Sequence, residues 1–192
     1  MDQARANGHD IVGMLEQAAG VTRGIIANVR PDQWTTPSPC AGWTVRDVVR
    51  HLIEGGETMA TAAAGACLVP QGDLLGDDPA AAFAASSVHL VEAIRAPGVL
   101  EGTVEMPYGV MPGRMVAGFG LVDALVHGWD IARATGQRTD FAPELNEAAL
   151  TLARQTMTGF DRASSEAFGP EQPAPLGASA ADRLAAFLGR TV

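Results

Sequence analysis

The chain has 192 residues, 47% of them hydrophobic and 18% charged, with a formal net charge of −9. That length is enough for one domain with a substantial core, here taken as residues 1–192. The excess of acid argues against nucleic acid or an anionic membrane as the main partner. Every basic residue is Arg, which reflects a coding bias and no physical demand. Cys40 and Cys67 are too few and too far apart for a disulfide framework or a paired-cysteine metal site. The opening Met1-Asp2-Gln3-Ala4-Arg5 resembles no signal peptide. No run reaches the roughly 18 apolar residues of a membrane span. A cytoplasmic protein with reduced thiols and no membrane partner is expected.

Ile11, Leu15, Ala18, Thr22, Ile25 and Val29 recur at steps of three and four, predicting an amphipathic helix from about Asp2 to Val29. Pro31, Pro37 and Pro39 then break the chain into a loop. Thr44 reads as an N-cap, Asp47 as its capping-box partner, and Trp43 with Val48 as a hydrophobic staple. The second helix is predicted to reach about Gly65, with Gly55-Gly56 as a weak point. Asp78-Pro79 opens a third helix ending near Ala96. Val99 to Met106 reads as a short strand or an extended crossover. A fourth helix starts at Pro112 or Gly113 and stops at Thr135, with Gly136 as its C′ residue. A fifth spans about Pro143 to Ala167, and a short terminal helix runs from Ala180 to Leu188. The whole predicts an all-α helical bundle with long crossovers.

The candidate chemistry is a dispersed histidine–carboxylate set. His51 lies inside the second helix, and Asp123 and His127 lie four residues apart in the fourth. That spacing puts the latter two on one helix face, one turn apart. Two imidazoles and a carboxylate from two helices can supply three ligands of an open divalent-metal site. Asp123 is the only charged residue between Arg114 and Asp130, and a buried carboxylate needs a partner. Without metal, desolvation is expected to raise its pKa.

Metal-bound imidazoles usually donate their other nitrogen to a carboxylate or carbonyl. Asp47, Glu54 and Asp130 stand three or four residues from a histidine and are the candidates. Each could equally be a cap or a solvated face. Arg114 and Arg133 are candidates for binding substrate carboxylates, against a role in surface pairing, such as Arg133 with Asp130. His89 reaches the site only if its helix turns that face inward, and His9 is expected in solvent. A thiol before a helix N-terminus can be activated. Cys40 has no basic neighbour, however, and is assigned a structural role. Trp34, Trp43 and Trp129 are taken as packing residues.

Two stretches carry a resemblance. One runs from Trp34 through Pro37-Ser38-Pro39-Cys40-Ala41-Gly42-Trp43-Thr44-Val45-Arg46-Asp47 to His51-Leu52. The other is Asp123-Ala124-Leu125-Val126-His127-Gly128-Trp129-Asp130-Ile131-Ala132-Arg133-Ala134-Thr135-Gly136. Together they resemble the mycothiol-dependent maleylpyruvate isomerase N-terminal-domain family of the DinB-like superfamily. The ending from Asp182 to Arg190 is similar to the tail of a short actinobacterial subgroup described only as metal-binding.

The resemblance implies a DinB-like four-helix bundle, up-down-down-up, with a long crossover and, here, extra C-terminal helices. It also implies a divalent metal on His51, Asp123 and His127, zinc first, with nickel, iron or manganese as alternatives. Mycothiol is the implied cosubstrate, used as a metal-bound thiolate that attacks a small electrophile or assists an isomerisation. The implied function is a thiol-dependent S-transferase or isomerase. A non-catalytic metal- or ligand-binding bundle and a metal-hydroxide hydrolase are the alternatives, and a homodimer stays open. The isomerase has Glu at the Asp123 position and a larger C-terminal domain, so maleylpyruvate itself is not the expected substrate.

Overall fold

The computed structural model describes residues 11–66, 69, 71–157 and 169–192. Its helices are α1 (Ile11–Ala27), α2 (Val45–Ala63), α3 (Pro79–Arg95), α4 (Gly113–Thr135), α5 (Pro143–Thr156) and α6 (Ala180–Phe187). A 3₁₀ turn covers Pro31–Gln33, and β1 (Thr103–Met106) pairs antiparallel with β2 (Gly109–Pro112). His9, Cys67 and residues 158–168 lie outside the described residues.

Each helix start follows from its local sequence. Thr44 caps α2 by accepting from the Asp47 N–H, and the Asp47 carboxylate accepts from the Thr44 N–H at 2.9 Å. Asp78 caps α3 through the Ala81 N–H, with Pro79 as first helical residue. At the end of α4, Gly136 adopts φ +72°, the left-handed geometry that terminates the helix.

Side-chain contacts give the directions. Ser86 of α3 donates to the Ile53 carbonyl and His89 pairs with Glu57, so α2 and α3 run parallel. Thr22 of α1 donates to the Ala124 carbonyl, and further on Gln137 donates to the Ile25 carbonyl, so α1 and α4 also run parallel. Glu16 pairs with Arg95, which sets α1 against the end of α3. The result is an all-α, DinB-like bundle in the order up-down-down-up, and the α2–α3 connection is the crossover that parallel neighbours require.

Two details depart from the sequence expectations. The Gly55-Gly56 pair does not weaken α2, because Gly56 is where α3 approaches closely. A Cβ there would stand 2.5 Å from the Ser86 hydroxyl. The crossover before α4 folds into a hairpin, whose second strand the sequence did not announce. The fifth helix closes at Thr156 with Met157 as its C-cap, and the rest of its expected span, to Ala167, lies outside the described residues.

Helix α4 is the axis of the molecule. Val116, Leu121, Leu125, Trp129 and Ile131 are buried on several of its faces, as for a helix enclosed by neighbours. It is also long and apolar enough to cross a membrane by length and composition, and 78% of that window is buried inside the fold. No uninterrupted apolar run of about 18 residues occurs here, because Asp123 divides the helix, yet the average over the window passes the test. A helix packed on every side meets the same criterion as a membrane span.

Gly113 opens α4 in direct contact with the preceding crossover. A Cβ there would lie 1.8 Å from the Val99 carbonyl oxygen, which is backbone and has no rotamer to yield. Gly113→Ala is therefore expected to destabilise the protein by about 1–3 kcal/mol. Gly118→Ala meets only the flexible end of Leu152 and should cost less. Paired urea titrations check the order.

Candidate metal centre

His51 projects from α2 toward Asp123 and His127 of α4. Asp123 Oδ1 lies 3.4 Å from His51 Nε2 and 3.3 Å from His127 Nε2. Donor atoms of all three residues lie within 4.8 Å of one another. These separations are long for good hydrogen bonds. They do match the edge of a tetrahedron with ligand bonds of about 2.0–2.1 Å, which is about 3.3–3.4 Å. The donor set therefore fits a divalent ion in both chemistry and spacing.

The loop before α2 roofs the cluster. Ser38 N–H donates to the Trp43 carbonyl at 2.8 Å and Trp43 N–H to the Cys40 carbonyl at 3.0 Å, which pins the loop. The Trp43 ring lies 4.9 Å from the His51 ring and 6.0 Å from the His127 ring, nearly parallel to the latter. Trp43 thus covers both imidazoles, where the sequence suggested packing alone.

His127 is fixed from behind. Asp130 Oδ2 lies 2.9 Å from His127 Nδ1. The same carboxylate receives Arg190 Nη2 at 2.9 Å and Arg190 Nε at 3.3 Å. Asp130 is fully buried and Arg190 nearly so. Asp130 therefore reaches a histidine as expected from its spacing. Asp47 instead serves the Thr44 cap and pairs with Arg50. Glu54 makes no side-chain hydrogen bond or ion pair among the described residues and lines a groove beside His51.

Arg114 and Arg133 are exposed at the two ends of α4. Arg114 precedes Asp123 by nine residues, about 13 Å along the axis and half a turn around it. Neither pairs with anything among the described residues; the arginine behind His127 is Arg190, and Arg50 lies beside His51. His89 pairs with Glu57 and is not among the donors that converge at the cluster.

The electrostatics correct one expectation. Burial does oppose the Asp123 anion, but the charges of His127 and His51 and their hydrogen bonds outweigh it and hold its pKa below the usual carboxylate range. The two facing imidazoles are partners even without an ion. Burial likewise opposes the His127 cation, yet the Asp123 charge and hydrogen bonds to Asp123 and Asp130 lift its pKa from 6.5 to about 9. Cys40 has a donor atom within 4.8 Å of both His127 and Asp130. Burial pushes its thiol up, only partly opposed by the Arg190 charge, so a helix start does not activate it. Tyr108 at the β1–β2 turn is exposed, and desolvation, then the Asp123 charge, push its phenol up.

An all-α bundle with a two-histidine, one-carboxylate cluster between its second and fourth core helices falls in the class of helical bundles whose facing side chains could hold a metal ion. The mycothiol maleylpyruvate isomerase N-terminal domain family matches residues 15–132, and the chain belongs to that family. Two relatives are uncharacterised proteins of Mycobacterium tuberculosis, one from strain CDC 1551 / Oshkosh and one from strain ATCC 25618 / H37Rv. Each is 38% identical over 177 residues, covering 92% of this chain and 96% of the relative. No solved structure matches the chain.

Proposed function

We propose that the chain binds a divalent metal, zinc first, through His51, Asp123 and His127, and uses it to react a low-molecular-weight thiol such as mycothiol with a small electrophile. The observation that carries this reading is the pair of tetrahedral-edge separations from one Asp123 oxygen to two imidazole nitrogens. A divalent ion there would act as a Lewis acid that favours the anionic form of a thiol or of water at neutral pH.

The chain's own residues supply the setting. Asp123 and His127 hold fixed positions on α4, and Trp43 keeps water off one side of both imidazoles. Asp130 holds a proton on His127 Nδ1 and so leaves Nε2 to ligate. A groove of about 390 Å³ opens beside His51, lined by Gly42, Trp43, Asp47, Arg50 and Glu54. It has room for the reacting groups of small molecules, with Arg50 as the cation at hand and Glu54 as a carboxylate without a protein partner among the described residues. This placement favours Arg50 over Arg114 and Arg133 for recognising a substrate carboxylate.

The test is incubation of metal-loaded protein with a panel of electrophiles, with and without mycothiol. Thiol-dependent consumption of electrophile that disappears in His51→Ala supports the transferase or isomerase reading. Hydrolysis without thiol would point to water as the nucleophile. Tight metal binding with no turnover would leave a binding protein.

A further inference from the structure

Arg190 stands beyond the span that matches the family, and the tail is built to aim it. Ser179 caps α6 by accepting from the Asp182 N–H. Leu184, Phe187 and Leu188 pack with Leu121 and Leu125 of α4. Asp182 accepts from the buried Trp129 indole at 2.8 Å. The helix then closes in a Schellman turn: Gly189 N–H donates to the Ala186 carbonyl and Arg190 N–H to the Ala185 carbonyl, both at 3.0 Å. Gly189 has φ +94°, and a Cβ there would lie 2.9 Å from the Gly169 backbone, so only glycine makes this turn. The turn points the next side chain inward.

All three nitrogens of the Arg190 guanidinium are then engaged. Nε and Nη2 go to the two oxygens of Asp130, and Nη1 donates to the Leu188 carbonyl at 2.9 Å. A carboxylate gripped at both oxygens by a planar fork cannot rotate. Its Oδ2 therefore stays against His127 Nδ1, and the ring is held at one angle, with Nδ1 toward Asp130 and Nε2 toward Asp123.

We infer that Arg190 is a positioning residue of the metal centre: through Asp130 it sets the tautomer and ring angle of His127, so that the C-terminal tail completes the site. This rests on the metal-binding reading above, and one arm of the test does not need metal.

In the metal-free protein at alkaline pH, nitrogen NMR of His127 reports which nitrogen carries the proton. Wild type should show the Nδ1–H form, and Arg190→Met a mixture with the Nε2–H form. With metal, competition against a chromophoric chelator should show a loss of about 10- to 100-fold in affinity for Arg190→Met. The ligand-field spectrum of the cobalt-substituted protein should change with it. Arg190→Lys keeps the charge without the fork and should fall between. Where Arg190→Met does not fold, the lysine variant carries the test. Leu184→Ala loosens the same tail helix without touching Asp130 and should keep both the tautomer and the affinity. An unchanged tautomer and affinity in Arg190→Met, or an equal loss in Leu184→Ala, overturns the inference. If wild type binds no metal, the proposed function fails, and the tautomer measurement alone decides the role of Arg190.

Discussion

Asp130→Ala should destabilise the protein by about 3–5 kcal/mol, the usual consequence of removing one partner from a buried ion pair. The carboxylate has no exposed surface and accepts from Arg190 twice and from His127 once. Burial opposes its ionisation, but the His127 hydrogen bond and charge and the Arg190 charge hold its pKa below the usual range. Without it the Arg190 cation stays buried with the Leu188 carbonyl as its remaining hydrogen-bond acceptor among the described residues. Urea denaturation at constant slope measures the loss. The double variant Asp130→Ala/Arg190→Met should lose less than the sum of the singles, because the second change removes the stranded charge. A loss below about 1 kcal/mol for Asp130→Ala would mean that Arg190 escapes to solvent and that the tail is loosely held.

Asp123→Asn should abolish tight metal binding and also flatten the pH dependence of the metal-free protein. The second effect follows from the His127 shift. Its folded pKa is about 9 against 6.5 when unfolded, so the stability it contributes is complete below 6.5 and is lost as pH rises through 9. Asp123 has the opposite sign. Its folded pKa is lowered, so its contribution is present above the unfolded carboxylate value and is lost as pH falls through the folded one. The pair is thus strongest in mildly acidic solution. Between pH 6.5 and 9 the wild type should lose about 2–3 kcal/mol. Most of that slope should vanish in Asp123→Asn, with Asp130 sustaining the remainder. Chelator-treated protein unfolded at both pH values gives the comparison, and equal slopes would falsify the pairing. Calorimetric metal titration gives the other half: equal affinities for wild type and Asp123→Asn would mean that Asp123 is no ligand, whereas Asp123→Glu should still bind.

The helices were legible because their punctuation is local. Thr44 with Asp47, Asp78 with Pro79, and Gly136 each act within four residues of the boundary they set. The convergence of His51 with Asp123 and His127 was foreseeable because an i,i+4 pair needs only one more helix to complete it. What stayed hidden depends on long-range contact. Asp130 and Arg190 are 60 residues apart, and nothing in the tail says that its Arg turns inward until Gly189 is seen to bend the chain there. The one available signal was a charge in the apolar stretch Trp129 to Ile131, which demanded a cation from somewhere. The partnership of Asp123 with two imidazoles was hidden in a different way. Spacing showed that a partner was needed, but not that the histidines alone would suffice to keep the carboxylate ionised. Trp43 was read only as a staple because the loop that carries it over the imidazoles is held by backbone bonds between Ser38, Cys40 and Trp43.

The three donors are not equally free to move. Asp123 and His127 ride one turn apart on a rod that Leu15, Thr22, Leu90 and Leu152 approach at Gly118, Gly120 and Gly128. The His127 side chain is only 7% exposed, whereas that of His51, on the other helix, is 39% exposed. An ion seated here would therefore come and go on the His51 side. A rotamer hop of that ring takes nanoseconds, whereas separating the other two donors would require opening the bundle. A metal held by these three donors would thus be placed for exchange more than for storage. A chelator, or the sulfur of an incoming thiol, could take the place of His51 while Asp123 and His127 keep hold, so that loading and loss of the ion proceed without unfolding any part of the core.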